Sequence, residues 1–380
     1  MKVKMDIYDK LGIKKLINAE GTLTRLGGSV MDPGVMEEMI EASKYFVDLN
    51  ELLEKAGEYV ANLLGVEACY ITSGAAAGLT LSIAACMTGT DPAKIRQLPG
   101  MHGLKNEVLI QKSHRNGYDH AVRQAGVTLI EFGLIKETYA WELRAAISDR
   151  TAAIVHFLEF ENNRNLALSE VIPIAKEMGV PLIVDAAAEL PPVENLSRFF
   201  HMGADLTVFS GGKDIGGPQS SGLVVGRRDL IDACALNANP NYSIGRAMKV
   251  GKEEIAGMIA ALERYLTQDF AAEEKLWEDM VATIVNTLAD IPGLDARRVS
   301  PAEPGVQPNW IPRVYLDWEK ETIPLSSSEV KSLLRQGEPG IAVGSTSTGL
   351  YVNPQTLKPG QEKIIAKTLR KVFMSAEGDG

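Results

Sequence analysis

Apolar and polar positions alternate along the chain with two distinct periods. Residues 37 to 64, EEMIEASKYFVDLNELLEKAGEYVANLL, carry apolar side chains at helical spacing and predict a helical stretch after a polar arm. Beyond it, short apolar runs alternate with amphipathic ones. EACYIT, NEVLIQ, VTLIEF, AAIVHFLE, PLIVDAA, LTVFS and GLVVG predict strands. AAAGLTLSIAACMTG, TYAWELRAAISD, LSEVIPIAKEMG and SRFFHMG predict helices between several of them. This spacing implies βαβ units, hence an α/β fold with a mostly parallel seven-stranded sheet covered on both faces. The last two strands are separated by a glycine-rich loop alone.

From about residue 250 the pattern changes. KEEIAGMIAALERYLTQDFAAEEKLWEDMVATIVNTLADI reads as one long helical stretch. It is followed by the proline-rich SPAEPGVQPNWIP, a strand at RVYLDW and helices around SSEVKSLLRQG and QEKIIAKTLRKVF. The expected organisation is an N-terminal arm over 1–45, a large domain over 46–255 and a smaller C-terminal α+β domain over 256–380.

Charge and composition narrow the functional classes. A net charge of -10 with no clustered basic stretch argues against a nucleic-acid surface. No segment reaches the roughly 18 apolar residues of a membrane span, and MKVKMDIYDKLGIKK lacks the apolar core of a signal peptide, so a cytoplasmic protein is expected. Cys69, Cys86 and Cys234 have no metal-site spacing and read as reduced core residues; no metal is expected.

In an open α/β sheet, ligands bind beyond the carboxyl ends of the strands. After EACYIT come Ser73, Gly74 and Ala75, opening a helix whose N–H groups and dipole suit a phosphate. After NEVLIQKS comes His114, able to stack on a flat ring. After PLIV comes Asp185, a carboxylate among small residues that asks for a cationic or hydrogen-bonding partner. After LTVF comes Ser210, then Lys213 within SGGKDIGGPQSSG, where a partly dry amine can attack a carbonyl to form a Schiff base. Taken singly, each has an ordinary structural reading: a common helix start, a hydrogen-bonding histidine, a solvated loop lysine. Together they match what pyridoxal 5'-phosphate requires: a lysine for its aldehyde, an acid for its ring nitrogen, an anion site and a flat group over the ring.

The segments NAEGTLTRLGGSVM, ITSGAAAGL, ACMTGTDP, LKNEVLIQKSHRNGYDHAVRQAG, PLIVDAAAELPP, FSGGKDIGGPQSSG and IGRAMKVGKEE carry a further signal over residues 17 to about 265. In them the chain resembles pyridoxal phosphate fold type I, the aspartate-aminotransferase superfamily. Within that superfamily it resembles the bacterial selenocysteine synthase branch and its D-glucosaminate-6-phosphate ammonia-lyase-like members. The resemblance implies Lys213 as the Schiff-base lysine, Asp185 as the pyridinium partner, His114 as the stacking residue, and Ser73, Gly74, Ala75 and Ser210 near the phosphate. It also offers Thr24, Arg25, Arg246 and Lys249 as substrate contacts, the last two near a subunit boundary; surface or interface charge is the competing reading for all four. Relatives carry an arginine after an apolar pair in the C-terminal domain, whereas GIAVGSTSTGLYVNP places Gly344 near that position. Arg313 is the nearest replacement in sequence.

The resulting expectation is a homodimer or larger oligomer that eliminates ammonia from a hydroxylated or phosphorylated amino acid or amino sugar acid through loss of a β-hydroxyl. The alternatives are a selenium or sulfur transferase on an aminoacyl group, a racemase, aldolase or aminotransferase, and a pyridoxal-binding regulatory protein without turnover.

Overall fold

The computed structural model describes residues 5–162, 164–300 and 308–376. Its strands among these residues are β1 (Leu16–Ala19), β2 (Ala68–Thr72), β3 (Glu107–Gln111), β4 (Thr128–Phe132), β5 (Thr151–Phe157), β6 (Leu182–Asp185), β7 (Leu206–Ser210), β8 (Gly222–Gly226), β9 (Leu294–Val299), β10 (Arg313–Trp318), β11 (Gly340–Ser345) and β12 (Leu350–Val352). Residues 29–268 form one compact unit; residues up to 28, with 269–300 and 309 onward, form the other.

The larger unit holds a seven-stranded sheet in the order β2-β8-β7-β6-β5-β3-β4. Every pairing is parallel except those of β8, which runs antiparallel to both β2 and β7. β2, β3, β5 and β8 are buried along their whole length, so they read as continuous apolar runs without alternation. The helix Ala75–Thr88 crosses the sheet almost entirely buried. Its small residues permit this: a Cβ on Gly78 would lie 2.8 Å from Val208 Cγ1 and 3.1 Å from Val224 Cγ2. Burying Leu79, Leu81 and Ile83 contributes about 1.5–3 kcal/mol each, which outweighs the roughly 1 kcal/mol that a glycine costs a helix.

The smaller unit is built on the sheet β1-β11-β12-β10-β9, with β1 parallel to β11 in the register Leu16↔Gly340 to Ala19↔Val343. Ile17, Met280, Ile284, Leu316, Ile341, Leu369 and Phe373 fill its core. Residues 16–19, expected within a polar arm, thus form an edge strand of the unit that also holds the C-terminal segment.

Two helical expectations are corrected. The stretch from 37 to 64 is two helices, Pro33–Ala42 and Leu49–Leu64, the second capped by Asp48, whose side chain accepts the Asn50 and Glu51 N–H groups. The stretch from 252 to 291 is also two, Lys252–Leu266 and Phe270–Leu288, parted at Asp269, which accepts the Ala272 N–H at 3.0 Å. In both cases a local aspartate cap outcompetes a continuous helical period. The proline-rich stretch lies mostly outside the described residues. No described helix is long and apolar enough to cross a membrane.

Candidate active site

β6 and β7 lie side by side and parallel, so the ends of these two strands present Asp185 and Ser210 at the same edge of the sheet. The chain then turns through residues 211–221 before returning as β8. This loop is held by its own backbone: Gly211 N–H donates to Ser221 O at 2.9 Å, Gly217 N–H to Gly211 O at 2.8 Å and Gly216 N–H to Lys213 O at 3.0 Å. Ser29 pins it from outside, its N–H and hydroxyl both donating to Gly212 O, at 3.0 and 3.2 Å. The buried Tyr265 adds a hydrogen bond from its hydroxyl to Asp214 at 2.9 Å. The glycines are needed for closeness, since a Cβ on Gly211 would lie 2.2 Å from Ser221 Oγ and one on Gly212 2.7 Å from Gln219 Cα. Lys213 is therefore carried on a braced loop, half-buried.

Beside it is the start of the helix Ala75–Thr88. Gly74 precedes that helix at φ +119°, a conformation closed to side chains with a Cβ, and no side chain caps the first turn. The first residue of β8 presses close here: a Cβ on Gly222 would lie 2.6 Å from Gly74 C and 2.8 Å from Ala75 N. Uncapped N–H groups at a half-buried helix start, with glycine on both sides, form a cradle suited to an anion.

Asp185 accepts the Ala187 N–H at 2.9 Å and forms no ion pair among the described residues. Burial raises its pKa, opposed by that hydrogen bond and by the charge of Lys213. Two further carboxylates feel the same lysine. Burial raises the pKa of Glu159, with Lys213 opposing and Asp185 assisting. Burial pushes Glu189 up to about 8, with Asp185 and Glu159 assisting.

His114 is 0% exposed. Its ring meets His156 edge-on at 4.7 Å, Asn165 Nδ2 lies 2.9 Å from its Nε2, and the Phe157 N–H points at its Nδ1 at 3.3 Å. Both ring nitrogens face donors, so a protonated ring would find no acceptor, and burial holds its pKa down at about 2. Four residues on, Tyr118 is exposed and within electrostatic reach of Glu159 and Asp185. It lines a hollow of about 550 Å³ with Ala76, Ala121 and Arg123, at the same helix start.

Comparison with known proteins fits this arrangement. The family model for SelA, L-seryl-tRNA selenium transferase, matches residues 16–290. The chain belongs to the SelA family. It is 33% identical to D-glucosaminate-6-phosphate ammonia lyase of Salmonella typhimurium, covering 97% of this chain and 98% of that one. It is also 33% identical to a 5'-C-glycyluridine monooxygenase-decarboxylase of a Streptomyces species, over 98% and 93%. A solved D-glucosaminate-6-phosphate ammonia-lyase structure superposes with a TM-score of 0.83 at 32% identity, covering 98% of this chain and all of that one. A serine palmitoyltransferase from S. paucimobilis, at a TM-score of 0.59 and 14% identity over 96% of this chain and 89% of that one, shares the fold alone.

The fold is thus that of the fold type I pyridoxal phosphate enzymes, and the residues of this SelA-family chain fit that cofactor. A half-buried lysine, a half-buried carboxylate without an ion pair among the described residues and a glycine-walled anion cradle lie at the ends of β7, β6 and β2. Of the other residues singled out from sequence, Arg246 donates to Asn239 Oδ1 at 3.2 Å and Lys249 is exposed, both on the segment after the helix Arg228–Asn237. Thr24 and Arg25 belong to the smaller unit, where Arg25 pairs with Glu20. So does Gly344: a Cβ there would lie 1.9 Å from the Tyr351 ring. Arg313 is 1% exposed, lies 5.8 Å from the centre of that ring and donates to Ile311 O at 3.1 Å. The site residues missed in the sequence are Ser29, Tyr118, Glu159 and Glu189. The last was visible four residues after Asp185 in DAAAE, but nothing in that spacing says that it turns inward.

Proposed function

We propose that the protein is a pyridoxal phosphate-dependent lyase that releases ammonia from a hydroxylated or phosphorylated amino acid or amino sugar acid, leaving a 2-keto acid. The observation that carries the reading is the convergence of Lys213, on the loop after β7, and the half-buried Asp185, at the end of the neighbouring β6. Supporting it is the full-length likeness to a named ammonia lyase and to its structure.

The cofactor, when bound, supplies the electron sink for charge developing at the substrate's Cα. Lys213 Nζ would hold the cofactor's aldehyde and, as a free amine, would take the substrate's α-proton. The Asp185 carboxylate keeps a proton on the ring nitrogen. Ser73, Gly74, Ala75 and Ser210 would hold the phosphate, and His114, with Tyr118 on the same turn, would face the ring. Thr24, Arg25, Arg246 and Lys249 are assigned to the substrate's charged and hydroxyl groups. The reading includes a cytoplasmic homodimer or larger oligomer. Its assembly is supported by the exposed apolar run Tyr45, Phe46 and Val47, with Phe46 fully open, and by Tyr242 at 82% exposure.

The test is incubation with D-glucosaminate 6-phosphate and a panel of hydroxylated amino acids, with ammonia and 2-keto acid both assayed. Equal amounts of the two support the lyase. Oxygen uptake with carbon dioxide release and no ammonia would point instead to chemistry of the kind in the Streptomyces relative's name.

A further inference from the structure

A β-hydroxyl is a poor leaving group unless it departs with a proton, and Lys213, having taken the α-proton, is only one candidate to supply it. Three carboxylates lie within electrostatic reach of that lysine: Asp185 at the end of β6, Glu159 just beyond β5, and Glu189 in the turn after Asp185. The cation acting on all three is Lys213, and it is committed to the cofactor at rest. One positive charge cannot balance three half-buried negative ones, so a carboxyl here remains protonated. Asp185 is engaged with the ring nitrogen, which leaves Glu159 and Glu189.

The turn fixes Glu189. Its N–H donates to Ala186 O at 3.2 Å, and its carbonyl accepts from Asn195 Nδ2 at 2.7 Å. Its Oε1 is buried and meets no hydrogen-bond donor or acceptor among the described residues. The charges that reach it are three carboxylates, Asp185, Glu159 and Glu161, against the single Lys213, and Glu161 is itself engaged with His156 at 2.8 Å. Glu159, by contrast, feels Lys213 ahead of Asp185.

We infer that Glu189 is the proton donor to the departing β-hydroxyl, a role that rests on the lyase reading above. As the Cα–H bond breaks toward the Lys213 amine, the Cβ–O bond breaks with its electron pair going to oxygen. That oxygen takes the Glu189 proton and leaves as water. Lys213, now an ammonium, returns its proton to the Glu189 carboxylate and both groups are reset. The aminoenoate so formed adds one water as it becomes the 2-keto acid and ammonia, so atoms and charge balance. Burial holds Glu189 up to about 8, so the donor is loaded at neutral pH and empties above it.

The test compares D-glucosaminate 6-phosphate with its 3-chloro-3-deoxy analogue in wild type and Glu189→Gln. Chloride departs without a proton. The variant should lose on the order of 10²-fold or more in kcat on the hydroxyl compound, yet fall less than about tenfold on the chloride, and wild type alone should lose rate as pH rises through about 8. Equal losses on both compounds would overturn the inference. A second readout needs no turnover: the infrared carboxylic-acid band of the holoenzyme should vanish as pH rises through about 8 and be missing in Glu189→Gln. A band that persists in the variant also overturns the inference. Wild type releasing no ammonia from either compound would instead sink the lyase reading, while the infrared band still decides where the proton sits.

Discussion

Asp185 and Glu189 stand four residues apart and meet the same lysine, yet they are suited to opposite tasks. Asp185 retains a hydrogen bond from Ala187 that favours its charged form, whereas the Glu189 carboxyl receives none. Replacing Asp185 with asparagine keeps the shape but removes the charge that holds a proton on the ring nitrogen. Turnover should fall by about 10²-fold or more, with cofactor affinity, measured by equilibrium titration, changed far less. Wild-type turnover in that variant would make Asp185 a purely structural carboxylate. Stability should carry the mark of Glu189. Its folded pKa of about 8 lies above the ordinary 4.5, so the folded state binds the extra proton and stability declines as pH rises between those values. Glu189→Gln should lack that slope when unfolding is followed by denaturant titration across the range; an identical slope in both proteins would contradict the assignment. Lys213 and Asp185 were legible in the sequence because each directly follows an apolar run, at the strand end where ligands bind. Glu189 and Tyr118 were not, since turns rather than strands bring them near.

At the scale of elements, strands that carry an apolar run of their own announced themselves and those without one did not. The seven strands of the large sheet were readable because apolar runs such as AAIVHF have both faces covered. β9 sets exposed Asp295, Arg297 and Arg298 among half-buried Leu294, Ala296 and Val299, β12 is three residues long, and β1 finds its partner more than 300 residues away, so none carries a local signature. Gly344 on β11 illustrates what such pairing decides. Gly344 lies opposite Tyr351 of β12, and the Tyr351 ring occupies the space a side chain would need, with Arg313 on the ring's other neighbouring strand. An arginine at 344 is therefore incompatible with Tyr351 as placed. Gly344→Ala should cost about 1–3 kcal/mol of stability in urea unfolding, and Gly344→Ala with Tyr351→Ala should recover part of it. A silent single substitution would show that the ring moves aside freely.

For the whole molecule, the proposed oligomer makes a prediction about Arg246. The exposed run Tyr45, Phe46 and Val47 and the exposed Tyr242, four residues before Arg246, lie in the unit that holds Lys213. If Arg246 serves a partner's site, inactive Lys213→Ala and inactive Arg246→Ala subunits should recover activity on mixing, because some interfaces then hold one intact set. Mixed oligomers that form and stay inactive would place Arg246 in its own chain's site or in a structural role. The central claim, that this site eliminates and does not transaminate, is tested most directly by a single turnover with D-glucosaminate 6-phosphate, following the cofactor spectrum beside an ammonia assay. The account predicts one ammonia and one 2-keto acid per site, with the starting spectrum restored unaided. Stoichiometric pyridoxamine phosphate that recovers only when a keto acid is added would contradict it.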